Sequence, residues 1–490
     1  MKIALLADLH LPDSERSVKE EVLDWALATA KRLHADRIVG AGDLTATGSA
    51  VSAKRLRSKL IATGIPYLLT PGNAEMRSPV DRAKVAELLA TPVEAEGIVL
   101  LDTSRSRLSG PARALLEKNA PAGALAVTHC PPDIWPEEDR ALLEKAFRSG
   151  RIHKLVAGHW HIDGSFERLE LVRGLDPDKA SGGAPALVIF DGDQRQDIVF
   201  DDADPRSWPE EEREAFLDRL GCSGMKDPVG VLSRGGEAGM KTFELRFTSP
   251  DRMSDPALLR ALGDWRAGGG VMLSLHLPDL VWRDGAVHGE SELRAAVRTA
   301  LELGCSHVTW HVPRVSLADF EAACDQLLDA AETPVRRLLD EGISIGIENL
   351  HIVPGESAEV RNFGCTPDEC REWIELLRWR LDCCSRIGFH FDLGHARNNG
   401  ALANRFTISD WYEELGDEIN GLHLHQVTPR PDGSFCNHMP LTEPFGSLIS
   451  LASLFLGWKR GTVNPSPMFL EIRDGDPVES MCRLHAALQP

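Results

Sequence analysis

Residues 343–351, ISIGIENLH, and residues 387–395, IGFHFDLGH, are short apolar runs that each carry an acid and an imidazole at the C-terminal end. A glutamate among β-branched and apolar residues, as Glu348 is, is costly to bury unless it is paired or bound to a metal. Six further runs surround these two: PVGVLS (228–233), TFELRF (242–247), GVMLSLHLP (270–278), HVTWHVP (307–313), INGLHLHQV (419–427) and MFLEIR (468–473). Most are separated by amphipathic segments of helical length. Strand–helix alternation repeated eight times predicts a (β/α)8 barrel, in which functional groups gather at the C-terminal strand ends. His276, His311, Glu348, Asp392, His395, His423 and Glu471 fall at those ends. Any one histidine is more simply a satisfied core residue. Acids and imidazoles on consecutive strand ends point instead to a metal-binding cavity.

The first third of the chain has a different rhythm. Five runs that read as strands, KIALLAD, RIVGAGD, PYLLTPGN, ALAVTH and KLVAGHWH, end on Asp8-Leu9-His10, Gly42-Asp43, Pro71-Gly72-Asn73, Thr128-His129 and Gly158-His159-Trp160-His161. Singly these are weak signals, since Gly-Asp and Gly-Asn are ordinary turns. In order, each at a strand end, they supply hard oxygen donors and imidazoles for two cations, the need of a two-metal hydrolase that activates water for in-line attack at phosphorus.

On these motifs residues 1–195 resemble the calcineurin-like metallophosphoesterases, a layered α/β fold with a β-sandwich flanked by helices. The resemblance implies one metal on Asp8, His10 and His161, a second on Asn73, His129 and His159, and Asp43 bridging them, with Asp43 and Asn73 catalytic. Many members carry a histidine after Gly-Asn that protonates the leaving group; here Ala74 stands there, followed by Glu75. A general acid worth about 10²–10⁴-fold is therefore in question. Residues 228–490, through IGIEN, HFDLGHARNNG, LHLHQ and FLEI, resemble the xylose-isomerase-like barrels, the superfamily of endonuclease IV and many sugar isomerases and epimerases. That resemblance implies a metal on Glu348, Asp392, His423 and Glu471, with the two glutamates catalytic. Its endonuclease IV-like branch adds His276, His311 and His395, and His438 from an Asp-x-His motif. The Asp of that motif falls on Cys436. A thiolate ligand, a contribution from Asp432, or a weak or missing third metal all stay open.

Composition fits this organisation. The 490 residues suit two domains, and 43% are hydrophobic, enough for buried cores. Residues 196–227 are polar and acidic and read as a linker with a short helix. No run is long and apolar enough for a membrane helix, and residues 1–10 carry candidate ligands rather than a signal peptide. Ten scattered cysteines without CxxC pairs suggest reduced thiols, hence a cytoplasmic enzyme. A net charge of −20 opposes simple nucleic-acid binding, and the basic stretch Lys54–Lys59 reads as a solvated helix face.

The expectation is an α/β chain of two domains and a bifunctional metal-dependent phosphoesterase, a nuclease or nucleotide phosphodiesterase. It would use Mn²⁺ or a similar ion in the first domain and Zn²⁺ or Mn²⁺ in the barrel. Its partner would be a phosphoester substrate such as DNA or a nucleotide, with no membrane. One alternative is a phosphatase or phosphodiesterase fused to a sugar or sugar-phosphate isomerase or epimerase. Another makes one domain a degenerate scaffold that recruits a protein partner. DNA, RNA, nucleotide and sugar phosphate are not separated by the sequence.

Overall fold

The computed structural model describes residues 1–383, 385–431 and 434–489, without the side chains of residues 118 and 119. Asp432, one of the readings for the third metal, lies outside the described residues. The chain divides into two compact units, Met1–Asp204 with Phe445–Leu456, and Pro205–Pro444 with Gly457–Pro490.

Two sheets build the first unit. One holds Lys2–Leu6, Arg37–Ala41 and Tyr67–Thr70 in parallel, continued antiparallel by Ala186–Asp191 and Gln194–Val199. The other has six strands, among them Ile98–Leu101, Ala124–Thr128 and Ile152–Ala157. Side chains alternate along a strand, so each of these strands serves two cores. Ile98, Leu100, Leu125, Val127 and Val156 pack with Ile3, Leu5, Val39 and Leu68 of the first sheet. Their neighbours Val99, Leu101, Ala124, Ala126 and Leu155 pack outward with Ala112 and Leu116, and with Leu143 and Phe147 of the helix Glu137–Arg148. A sandwich with a helical outer layer follows.

Eight parallel strands close the barrel of the second unit: Leu220–Ser223, Thr242–Arg246, Met272–His276, His307–His311, Ser344–Glu348, Ile387–Asp392, Ile419–Leu424 and Met468–Leu470. Seven coincide with the expected runs. The eighth corrects the sequence reading, because PVGVLS is not a strand but part of the helix Pro228–Glu237. Pro228 takes the first helical turn, where its missing N–H costs nothing, and the Asp227 side chain caps it by accepting from Gly230 N. The strand that closes the ring, LGCS, lies inside the stretch read as linker and is too short and small to announce itself by hydropathy.

The remaining expectations are simpler. The nine described cysteines are free. Among the described residues no helix is long and apolar enough to cross a membrane. In the Lys54–Lys59 stretch, Leu56 is buried, while Arg55 and Lys59 pair with Glu20. Two of the four basic residues of that stretch are thus paired on the helix face, and Lys54 and Arg57 are exposed.

Candidate metal centres

In the first unit every candidate ligand sits on a loop just beyond a strand. The backbone there is unusual, since Asp8, His10, Asp43, His159 and His161 all have φ between 47° and 74°, the left-handed region that non-glycine residues avoid. Strain repeated at five such positions is a mark of a functional site. Gly158 lets the chains approach, for a Cβ there would lie 2.3 Å from Asp8 Oδ2.

Asp8, His10 and His161 present donor atoms to one point, as do His129, Cys130 and His159 to another. The Asn73 Oδ1 lies 3.0 Å from His129 Nε2. Asp43 reaches both sets, with Oδ2 3.5 Å from His10 Nε2 and Oδ1 3.3 Å from His129 Nε2. Outer partners fix the ligands. His129 Nδ1 donates to the Ala41 carbonyl at 3.1 Å, which frees Nε2 for the cavity. Glu75, fully buried, accepts from Asp43 N, Thr45 N, Thr45 Oγ1 and Gly72 N at 2.7–3.1 Å. It thus ties the Gly-Asp loop to the Pro-Gly-Asn loop. Ala74 is buried, donates its N–H to Asp43 Oδ1 at 2.7 Å, and has no proton to give a leaving group.

Electrostatics are uneven across this cluster: although burial opposes it, Asp43, Asp8 and Glu75 raise the His129 imidazole above its ordinary range. Burial, with Asp43 adding to it, pushes the Asp8 carboxyl up to about 8. Burial also pushes His159 down to about 4 and His10 well below the ordinary imidazole range, so both are neutral donors. Neither ring nitrogen of His10 has a hydrogen-bond partner among the described residues. Paired carboxylates, neutral imidazoles and orphaned nitrogens fit divalent cations.

The barrel assembles its residues without comparable strain. His276, His311, Glu348 and Asp392 are each the last residue of their strand, His423 is next to last, and Glu471 follows Leu470. Three overlapping groups converge: His276 with His311 and Glu348; Glu348 with Asp392, His423 and Glu471; and Glu471 with His425 and His438. Glu348 Oε2 is 3.1 Å from His276 Nε2 and 3.3 Å from His311 Nε2, while Oε1 is 3.1 Å from His423 Nδ1. Glu471 Oε2 lies 3.5 Å from His423 Nδ1 and 3.3 Å from His438 Nδ1. His276 Nε2, Glu348 Oε2 and His438 Nδ1 are buried without a hydrogen-bond partner among the described residues, which again fits a cation. Although burial opposes ionisation, His311 and His423 hold the Glu348 carboxyl well below its usual range, and His423 and His438 do so for Glu471.

Two expected residues stand somewhat apart. His395 N accepts the capping role of Asp392, donating to Oδ1 at 2.7 Å, and its Nδ1 donates to the Asn349 carbonyl, 3.6 Å from both Glu348 and Asp392. Cys436 lies on the hairpin strand Phe435–Met439 with Sγ 3.8 Å from the Asn437 carbonyl oxygen. The residue that joins His438 is His425, whose Nε2 is 3.1 Å from Asp392 Oδ1.

Sequence reasoning missed His425, Glu244, Asp279 and Arg246. Glu244 is fully buried, contacts His423 Nε2 at 2.7 Å and accepts from Ser274 and Thr309 hydroxyls at 3.1 and 2.6 Å. It thereby turns His423 Nδ1 toward the cluster. Asp279 plays the same part for His311, at 2.7 Å from Nδ1. The signal for Glu244 was present, as TFELRF places an acid in an apolar strand just as IGIEN does. Of the tryptophans, Trp310 and Trp411 are core residues, while Trp160 is half exposed beside His159 with ring centroids 4.9 Å apart.

Residues 234–460 match a family described as the xylose isomerase-like TIM barrel. No curated protein matches the chain. Among solved structures, a candidate xylose isomerase from Rhodospirillum rubrum is 17% identical and covers 55% of this chain and 98% of its own, with a TM-score of 0.44. A D-allulose 3-epimerase from a Methylomonas species is 16% identical over 51% of this chain and 82% of its own, TM-score 0.35. A dimetal phosphatase from Danio rerio is 16% identical over 39% of this chain and 91% of its own, TM-score 0.28. At such identities and scores the structural likenesses bear on neither substrate nor residue roles.

Proposed function

We propose that the chain is a two-centre metalloenzyme: a calcineurin-like, dinuclear phosphoesterase in the first unit joined to a metal-dependent sugar or sugar-phosphate isomerase or epimerase in the barrel. The observation that carries the first half is Asp43 within 3.5 Å of His10 and 3.3 Å of His129, between two groups of donors. Bound divalent metals would supply Lewis acidity and an activated water there. Asp8, His10 and His161 would hold one ion and Asn73, His129 and His159 the other, with Asp43 shared. Glu75 locks the two loops on which Asp43 and Asn73 stand. Because Ala74 donates no proton, the centre suits esters whose leaving group needs little protonation.

The family match supports the isomerase or epimerase reading of the barrel better than a nuclease reading. Glu348, Asp392, His423 and Glu471 would form the single-metal set that such chemistry needs, with the two glutamates placed to accept and return a proton beside a carbonyl. A second reading, phosphodiester hydrolysis at clustered metals, is favoured by one observation. His276 and His311 share Glu348 with that set, and His425 and His438 share Glu471, giving more donors than one metal uses.

Hydrolysis and isomerisation separate the readings. The purified chain would be assayed with Mn²⁺ and with Zn²⁺ on bis(p-nitrophenyl) phosphate, on single- and double-stranded DNA, and on a panel of ketose phosphates. Wild type would be compared with Asp43→Asn and Glu348→Gln. Diester hydrolysis lost only in Asp43→Asn, with ketose conversion lost only in Glu348→Gln, supports the proposal. DNA cleavage lost in Glu348→Gln replaces the isomerase by the nuclease reading. Full hydrolysis in Asp43→Asn sinks the assignment of the first unit.

A further inference from the structure

The barrel opens onto a cavity of about 710 Å³ whose wall carries five arginines: Arg246, Arg314, Arg397, Arg430 and Arg473. In a chain of net charge −20 this concentration runs against the composition. Three of the five are engaged within the protein. Arg246 holds Glu471 Oε1 at 3.2 Å, Arg314 pairs with Asp279, and Arg397 lies over the Phe435 ring, 4.8 Å from its centroid. The side chains of Arg430 and Arg473 have no ion-pair or hydrogen-bond partner among the described residues. Among the described residues the wall's acids have other partners: Asp474 is 3.3 Å from Lys226, Glu356 accepts from Val353 N and Asn362, and Glu471 belongs to a candidate metal-ligand group.

Both of these arginines hang from segments that carry candidate ligands. Arg473 is two residues beyond Glu471, and its N–H donates to the His438 carbonyl at 2.9 Å. Arg430 ends the arm that begins with His423 and His425 and donates its N–H to the Ser434 carbonyl at 2.7 Å. A guanidinium fork matches the oxygens of a phosphate better than a hydroxyl, and it stays charged at any working pH. The cavity volume is that of a small-molecule site.

We propose that the barrel selects a phosphorylated substrate, gripping its phosphate with Arg430 and Arg473 while the unphosphorylated end reaches Glu471 and Glu348. The inference rests on the barrel being a metal-dependent catalytic site, and its test keeps the two apart. Binding of inorganic phosphate, ribose 5-phosphate, ribose and the dinucleotide pTpT would be measured by calorimetry on the full-length, metal-loaded chain. The Asp43→Asn background keeps turnover in the first unit out of the titration. Metal content of each variant would be measured alongside.

Arg430→Ala with Arg473→Ala is expected to weaken ribose 5-phosphate by about 10-fold per arginine, leaving ribose and metal content unchanged. The paired Lys substitutions should recover part of the loss. Equal affinity for ribose 5-phosphate in parent and double variant, or no phosphate binding by the parent, overturns the proposal. Preference for pTpT over ribose 5-phosphate, lost in the same double variant, keeps the phosphate cradle and assigns it to a diester. A barrel that loads no metal, judged by equal metal content in Glu348→Gln, removes the catalytic reading; the arginine dependence is read independently of it.

Discussion

The two centres reach similar ligand chemistry by opposite routes. In the first unit the candidate ligands stand on loops just beyond strand ends, and five of them adopt left-handed backbone. In the barrel the ring of parallel strands brings strand-terminal residues together, and of the candidate ligands only His438, on a hairpin, has positive φ. Charge is handled differently too. Around Glu348 and Glu471 the imidazoles outweigh burial, and His311 is held up at about 10 by Glu348 and Asp279. Asp8, beside Asp43, is pushed up to about 8. In the barrel cluster imidazoles hold the two glutamates down against burial, whereas in the first unit burial and Asp43 hold Asp8 up.

The largest effect expected from this contrast is catalytic. Asp43→Asn removes the carboxylate shared by both donor groups and should lower diester hydrolysis by at least ~10³-fold, without lowering metal content in the barrel. Steady-state rates with metal analysis check this; loss of metal from both units would break the comparison.

Next is Glu244→Gln. If Glu244 sets the orientation of His423, barrel metal affinity should fall about 10- to 100-fold, read by competition with a chelating dye, while Asp43-dependent hydrolysis stays intact. An unchanged affinity would mean that the barrel's closure alone positions His423.

Asp8 gives a pH test. A carboxyl raised from its unfolded value to about 8 keeps, in the native state, a proton the unfolded chain has already lost. Its contribution to stability is therefore present below about pH 4 and is lost progressively as pH rises toward 8. In chelated protein, Asp8→Asn should be relatively more stable at pH 8 than at pH 5, by a Tm difference of a few degrees, about 2–4 °C per kcal/mol. Added Mn²⁺ should reverse the order. A pH-independent difference would show that the cluster is as well compensated as the barrel's.

The smallest effect concerns Glu75. Glu75→Gln keeps the shape but turns one of its acceptors into a donor facing N–H groups, and should cost about 1–3 kcal/mol by thermal unfolding. The loss should be confined to the first unit's transition.

Both architectures were legible because each depends on a local pattern repeated many times. Loop ligands in left-handed backbone come as compact motifs such as Gly158-His159-Trp160-His161, with small residues where chains must approach. The barrel's strands, from TFELRF to MFLEIR, announced themselves by hydropathy and spacing. LGCS did not, since a four-residue strand with one large apolar side chain is recognised by its neighbours in the ring rather than by its own residues.

What the sequence determined by itself was therefore most of the donor side chains at the strand ends and the order in which the strands present them. Only the tertiary structure decided the partners: Glu244 behind His423, Asp279 behind His311, Glu75 between two loops, and His425 rather than Cys436 beside His438. The reason is range. A strand's periodicity and a loop's motif are fixed within a few residues, but Glu244 and His423 meet across 179 positions of chain, where only the closed ring sets the distance.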